Sequence, residues 1–81
     1  MLILAVDDEV LALEDFEDTC REVGITDEIV KFNNPIEALS FVACNKVDIA
    51  FLDIEMPVIK GIELARRIKE TSKNTRIIFA T

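Results

Sequence analysis

Leu2-Ile3-Leu4-Ala5-Val6 runs without a break into Asp7-Asp8-Glu9. A continuous apolar run marks a strand covered on both faces, since a strand with one wet face would carry a polar residue at every second position. The abrupt change to acids ends that strand and sets carboxylates at its carboxyl end. The pattern returns in Val47-Asp48-Ile49-Ala50-Phe51-Leu52, closed by Asp53, and again in Arg76-Ile77-Ile78-Phe79-Ala80, closed by Thr81. Ile29-Val30-Lys31-Phe32 reads as a further, shorter strand.

Helices fill the intervals. Val10, Leu13, Phe16, Cys20 and Val23 recur at three- and four-residue spacing, one face of a helix that Gly24 should close with a left-handed cap. Asn33-Asn34-Pro35 stops one element and starts another, with Asn34 as N-cap, Pro35 in the first helical position and Glu37 in the first turn. Ile36, Leu39, Val42 and Ala43 supply the expected inner stripe of this second helix. A loop from Ile54 to Gly61 leads into a third helix, with Ile62, Ala65 and Ile68 facing inward.

Strands alternating with helices predict right-handed βαβ units and a parallel α/β sheet with helices on both faces. In such sheets the working groups lie beyond the carboxyl ends of the strands. Composition narrows the chemistry. Among 81 residues there are 16 acids, nine bases and no histidine, for a net charge of −7. That balance argues against a nucleic-acid or anionic-membrane surface, which needs Lys/Arg clusters, and excludes imidazole catalysis or ligation within the chain. Cys20 and Cys44 make neither a disulfide framework nor a zinc site and read as small core residues of a reducing compartment. No stretch approaches the ~20 apolar residues of a membrane span.

Asp7, Asp8 and Asp53 converge if the first and third strands are neighbours. Carboxylates brought together either raise one another's pKa or bind a divalent cation, and oxygen donors alone suit Mg²⁺ or Mn²⁺. A carboxylate beside such an ion can attack phosphorus, and a hydroxyl such as that of Thr81 can hydrogen-bond a phosphoryl oxygen. The plainer alternative makes each acid a solvated strand end or helix cap, Asp8 being placed to cap the first helix.

These blocks together carry a resemblance. Val6-Asp7-Asp8-Glu9, Phe51-Leu52-Asp53-Ile54-Glu55-Met56-Pro57, Gly61 and Ile77-Ile78-Phe79-Ala80-Thr81 resemble, in order and spacing, the receiver domain of two-component response regulators. The resemblance spans residues 1–81 and implies a partial receiver domain. The implied fold is flavodoxin-like (CheY-like), strand order 2-1-3-4, lacking the fifth strand and last two helices of the family. It implies that Asp53 accepts a phosphoryl group from a partner histidine kinase. Asp8 and Asp53 would ligate Mg²⁺, with Asp7 acting through water and the Glu55 backbone carbonyl adding an oxygen. Thr81 would be the switch hydroxyl, and Met56-Pro57 with Gly61 would shape the loop beside the acceptor. The implied protein is a cytoplasmic signalling module rather than an enzyme, with at most self-phosphorylation and dephosphorylation. Asp53-Ile54-Glu55-Met56-Pro57 is similar to receivers preceding a LytTR-type DNA-binding domain, which implies control of transcription through an output domain, with no nucleic-acid contact by these residues.

The family's fifth-strand lysine has no counterpart in these residues, and Lys60 reads as a solvated loop residue. The fourth strand is thereby expected at a sheet edge, where unpaired N–H and C=O groups favour a homo-oligomer. An alternative reading makes the chain an interaction fragment without phosphate chemistry. A haloacid-dehalogenase-type phosphatase also uses an Asp after an apolar strand, but that motif opens its domain, whereas two βα units precede Asp53 here.

Overall fold

Each apolar run becomes a strand and each three–four stripe a helix, in strict alternation. In the computed structural model, which describes residues 1–80, the order is β1 (Leu2–Val6), α1 (Val10–Glu22), β2 (Glu28–Phe32), α2 (Pro35–Cys44), β3 (Ile49–Asp53), α3 (Gly61–Thr71) and β4 (Arg76–Ala80). All neighbouring strands pair in parallel, in the order β2-β1-β3-β4. The expected flavodoxin-like arrangement is the one observed.

The sheet has two unlike faces. Leu4, Val6, Ala50 and Leu52 point to one side, where Ala38 and Val42 of α2 and Leu64, Ala65 and Ile68 of α3 complete the main core. Successive side chains alternate across a strand, so Ile3, Ala5 and Phe51 face the other side, toward α1. There Leu13 and Cys20 are buried, and the Phe16 and Phe51 ring centroids lie 4.6 Å apart in a tilted pair. β1, central and doubly covered, buries Ile3 through Val6, whereas edge strand β4 buries none of its residues.

The caps follow local chemistry. Gly24 takes φ 92°, its N–H donates to the Arg21 carbonyl at 3.1 Å, and the Ile25 N–H reaches the Cys20 carbonyl at 2.9 Å. This is the paired bonding of a Schellman motif and needs a residue without a Cβ penalty in the left-handed region. Asn34 Oδ1 accepts the Ile36 N–H at 2.8 Å, with Pro35 opening α2.

The helix stripes differ in phase from the expected ones. In α2 the buried positions are Pro35, Ala38 and Val42; Ile36, Ala43 and Cys44 are exposed. In α3 they are Gly61, Leu64, Ala65 and Ile68, which leaves Ile62 in solvent. Both buried sets keep three–four spacing, and one residue's step turns a side chain about 100° around the helix. Val10 and Val23, at the two ends of α1, are also exposed. Among the described residues no helix is long and apolar enough to cross a membrane.

Candidate functional site

The β1–β3 ladder sets the site. Val6 pairs with Leu52, so the next residue of each parallel strand, Asp7 and Asp53, emerges at the same level on the α1 face. Both acids then make the same local turn. Asp7 Oδ1 accepts the Glu9 N–H at 2.9 Å, and Asp53 Oδ1 accepts the Glu55 N–H at 3.3 Å. Each is an Asx-turn, which ends the strand and orients the carboxyl group.

Asp8 completes the cluster: one carboxylate oxygen from each of Asp7, Asp8 and Asp53 lies within 4.8 Å of the others. Asp8 does not cap α1, whose N-cap is Glu9 and which has no side-chain cap bond. Its carboxylate is therefore unspent on helix capping. Burial pushes the Asp7 carboxyl above its ordinary value of 3.8, against the Glu9 N–H; the charges of Asp53 and Asp8 push the same way as burial. A cavity of ≈ 160 Å³ adjoins the cluster, and Ala5, Leu13, Phe16 and Phe51 line it with Asp7 and Asp53. Its apolar walls thin the water around Asp7.

A divalent cation fits this donor set. Three anionic oxygens converge with no nitrogen or sulfur among them, the hard-ligand pattern of Mg²⁺. The cysteines take no part: Cys20 is buried in α1 and Cys44 is exposed at the end of α2.

The remaining expected site residues fall as follows. The Glu55 main chain adjoins Asp53 through the N–H already named, while its side chain turns to Lys60, Oε2 to Nζ at 2.8 Å. Lys60 is solvated, as its loop position suggests. Met56 is buried and Pro57 exposed beside it. The expected switch hydroxyl, Thr81, lies outside the described residues.

Two residues matter more than the sequence indicates. Gly61 carries no positive φ, yet a Cβ there would overlap the Asp53 carbonyl oxygen, so the α3 start lies directly on the end of β3. Thr75, wholly buried, donates its hydroxyl to the Val47 carbonyl at 2.6 Å and fixes the approach to β4. Only the Gly in the resemblance gave any signal of the first; nothing local signals the second.

Comparison with known proteins agrees with this fold. The family model for the response regulator receiver domain matches residues 3–81. The transcriptional regulatory protein LytR of Staphylococcus aureus is 37% identical over all of this chain, which covers 33% of that protein. The chain thus spans about one third of the length of the curated relatives it matches. Response regulator TrrA of Thermotoga maritima, solved in complex with Mg(2+)-BeF, is 38% identical; the match covers 96% of this chain and 66% of that one, with a TM-score of 0.85. TrrA in complex with histidine kinase ThkA matches at 38% identity and a TM-score of 0.84, over 96% of this chain and 66% of that one. With its strand-end acids assembled and the family pattern running from Ile3 onward, the chain belongs to the response regulator receiver domain family.

Proposed function

We propose that the chain is a phosphorylation-dependent signalling receiver whose Asp53 accepts a phosphoryl group from a partner histidine kinase in a Mg²⁺-dependent reaction. The observation that carries the reading is the convergence of Asp7, Asp8 and Asp53 within 4.8 Å at adjacent strand ends. The TrrA structures with Mg(2+)-BeF and with ThkA support the same ion and the same class of partner.

The chain's own residues have distinct tasks. Asp53 uses one carboxyl oxygen to accept the Glu55 N–H, which holds the group in place, and the other as nucleophile. That oxygen bonds to phosphorus as the P–N bond of the kinase phosphohistidine breaks, and the imidazole leaves with the bonding pair. Asp7, Asp8, Asp53 and the Glu55 carbonyl would hold Mg²⁺, Asp7 through water. The ion, when bound, offsets charge on the transferring group. Thr81 supplies the switch hydroxyl. Val10, Leu11 and Val58, exposed in the first turn of α1 and in the loop after β3, give the partner apolar footing beside the acids.

Phosphorylation then works as a local charge change that biases a responsive surface, with output through a transcription-regulating domain in the cytoplasm. The residues here make no nucleic-acid or membrane contact and turn over no substrate beyond self-phosphorylation and dephosphorylation. Acetyl phosphate with Mg²⁺, followed by intact mass measurement, tests the acceptor. Asp53→Ala should abolish the phosphoryl adduct, and an adduct that survives the substitution sinks the assignment.

One observation favours a second reading, in which the chain is an interaction fragment without phosphate chemistry. β4 is the outermost described strand, and its Ile78 and Phe79 are exposed. Such an edge pairs readily with a second copy of the chain. Sedimentation giving a stable monomer at micromolar concentration would remove this reading and leave the acceptor chemistry standing.

A further inference from the structure

Gly61 opens α3 with its backbone pressed against the end of β3. Its N–H donates to the Ile54 carbonyl at 2.8 Å. A Cβ at this position would overlap the Asp53 carbonyl oxygen and stand 2.8 Å from Ile54 Cα and 2.9 Å from the Asp53 carbonyl carbon. All three are main-chain atoms, which cannot swing aside as a side-chain tip can. The contact closes a neck under the loop of residues 54–60, and the Glu55–Lys60 pair fastens that loop a second time. Asp53 is thus fixed from two directions, by its ladder position opposite Ala80 and by the first residue of α3.

We infer that Gly61 is a positioning residue for Asp53: the missing side chain lets α3 set the main chain from which the acceptor carboxylate reaches toward Asp7 and Asp8. The inference rests on the cation-assisted acceptor proposed above. Any side chain at position 61 must separate α3 from β3 and carry Asp53 with it. Ligand distances tolerate only about ±0.2 Å, and groups that merely orient ligands typically change metal affinity 10–100-fold when altered. Gly24 provides the contrast. It needs its left-handed φ of 92°, but a Cβ there would meet nothing within 4 Å.

Calorimetric titration with Mg²⁺, beside urea unfolding, separates positioning from mere folding. Gly61→Ala should lose about tenfold or more in Mg²⁺ affinity. Gly24→Ala should be destabilised yet bind Mg²⁺ as the wild type does. Wild-type affinity in Gly61→Ala overturns the inference while leaving the acceptor reading intact. Equal Mg²⁺ affinity in the wild type and Asp53→Ala overturns both together. Should Gly61→Ala fail to fold, amide exchange in the wild-type protein decides. Mg²⁺ should slow exchange at the Gly61 and Glu55 N–H groups alike, and protection of Glu55 alone refutes the coupling.

Discussion

Asp7 and Asp53 are neighbours at the end of the β1–β3 ladder because Val6 pairs with Leu52 in parallel and each acid is the next residue along its chain. Two like charges at that separation are tolerable in water and unfavourable beside apolar walls. Burial and repulsion together raise the Asp7 pKa, and the resulting tension is what a cation would relieve.

Ionised Asp7 should therefore work against folding. Its folded pKa lies above the ordinary 3.8, so its contribution favours the fold below pH 3.8 and is lost as pH rises through the folded value. Asp7→Asn keeps an oxygen for the Glu9 N–H and removes the charge. In the absence of Mg²⁺ it should be the more stable protein at neutral pH, by less than about 1 kcal/mol because solvent screens the pair. The gain should vanish in acid. Parallel urea midpoints for the two proteins across pH would contradict the account.

Glu63 titrates in the opposite sense. Hydrogen bonds from Arg66 and Arg67, at 2.6 Å and 3.0 Å, hold its carboxyl down from 4.5 to about 2. The stability it lends is present above pH 4.5 and lost as pH falls through about 2. Glu63→Gln should weaken α3 at neutral pH and have no effect in strong acid. Added salt should shrink the difference, since the group is exposed. A Glu63 carboxyl NMR midpoint near 4.5 would show that the arginines do not hold it.

Thr75→Val should destabilise the protein by about 1–3 kcal/mol, the cost of leaving a buried acceptor unpaired. The substitution keeps the shape and strands the Val47 carbonyl, which the Thr75 hydroxyl serves at 2.6 Å. Ser72→Ala should cost less, because Ser72 is only half-buried. Chemical denaturation of the two variants ranks them, and the reverse order would refute the buried-acceptor argument.

Asn34→Ala and Asp8→Ala distinguish a cap from a ligand. Loss of the Asn34 side-chain bond to the Ile36 N–H should cost about 1 kcal/mol of stability and leave Mg²⁺ affinity unchanged. Asp8→Ala should weaken Mg²⁺ binding without a comparable loss of stability, because the N-cap of α1 is Glu9 and the helix takes no cap from Asp8. Thermal melts with and without Mg²⁺ report both quantities.

Much of the architecture is legible before any coordinate. The run Leu2–Val6 is apolar throughout because β1 is covered on both faces, and Asn34-Pro35 and Gly24 announce helix ends through chemistry confined to a few bonds. Helix phase is less legible. Ile36 and Ile62 are as apolar as the residues buried in their place, Ala38 and Leu64, and only the direction from which each helix meets the sheet selects between them. Cys44 is exposed for the same reason.

The sequence by itself determined that acids stand at the ends of two apolar strands, since that is a matter of neighbouring residues along one chain. Only the tertiary structure decided that these acids share one small volume, because the pairing of Val6 with Leu52 joins segments 46 residues apart (52 − 6). It likewise decided what Gly61 is for. A missing side chain leaves no mark in a sequence beyond the letter itself, and its purpose appears only when the Asp53 backbone is seen to occupy the space.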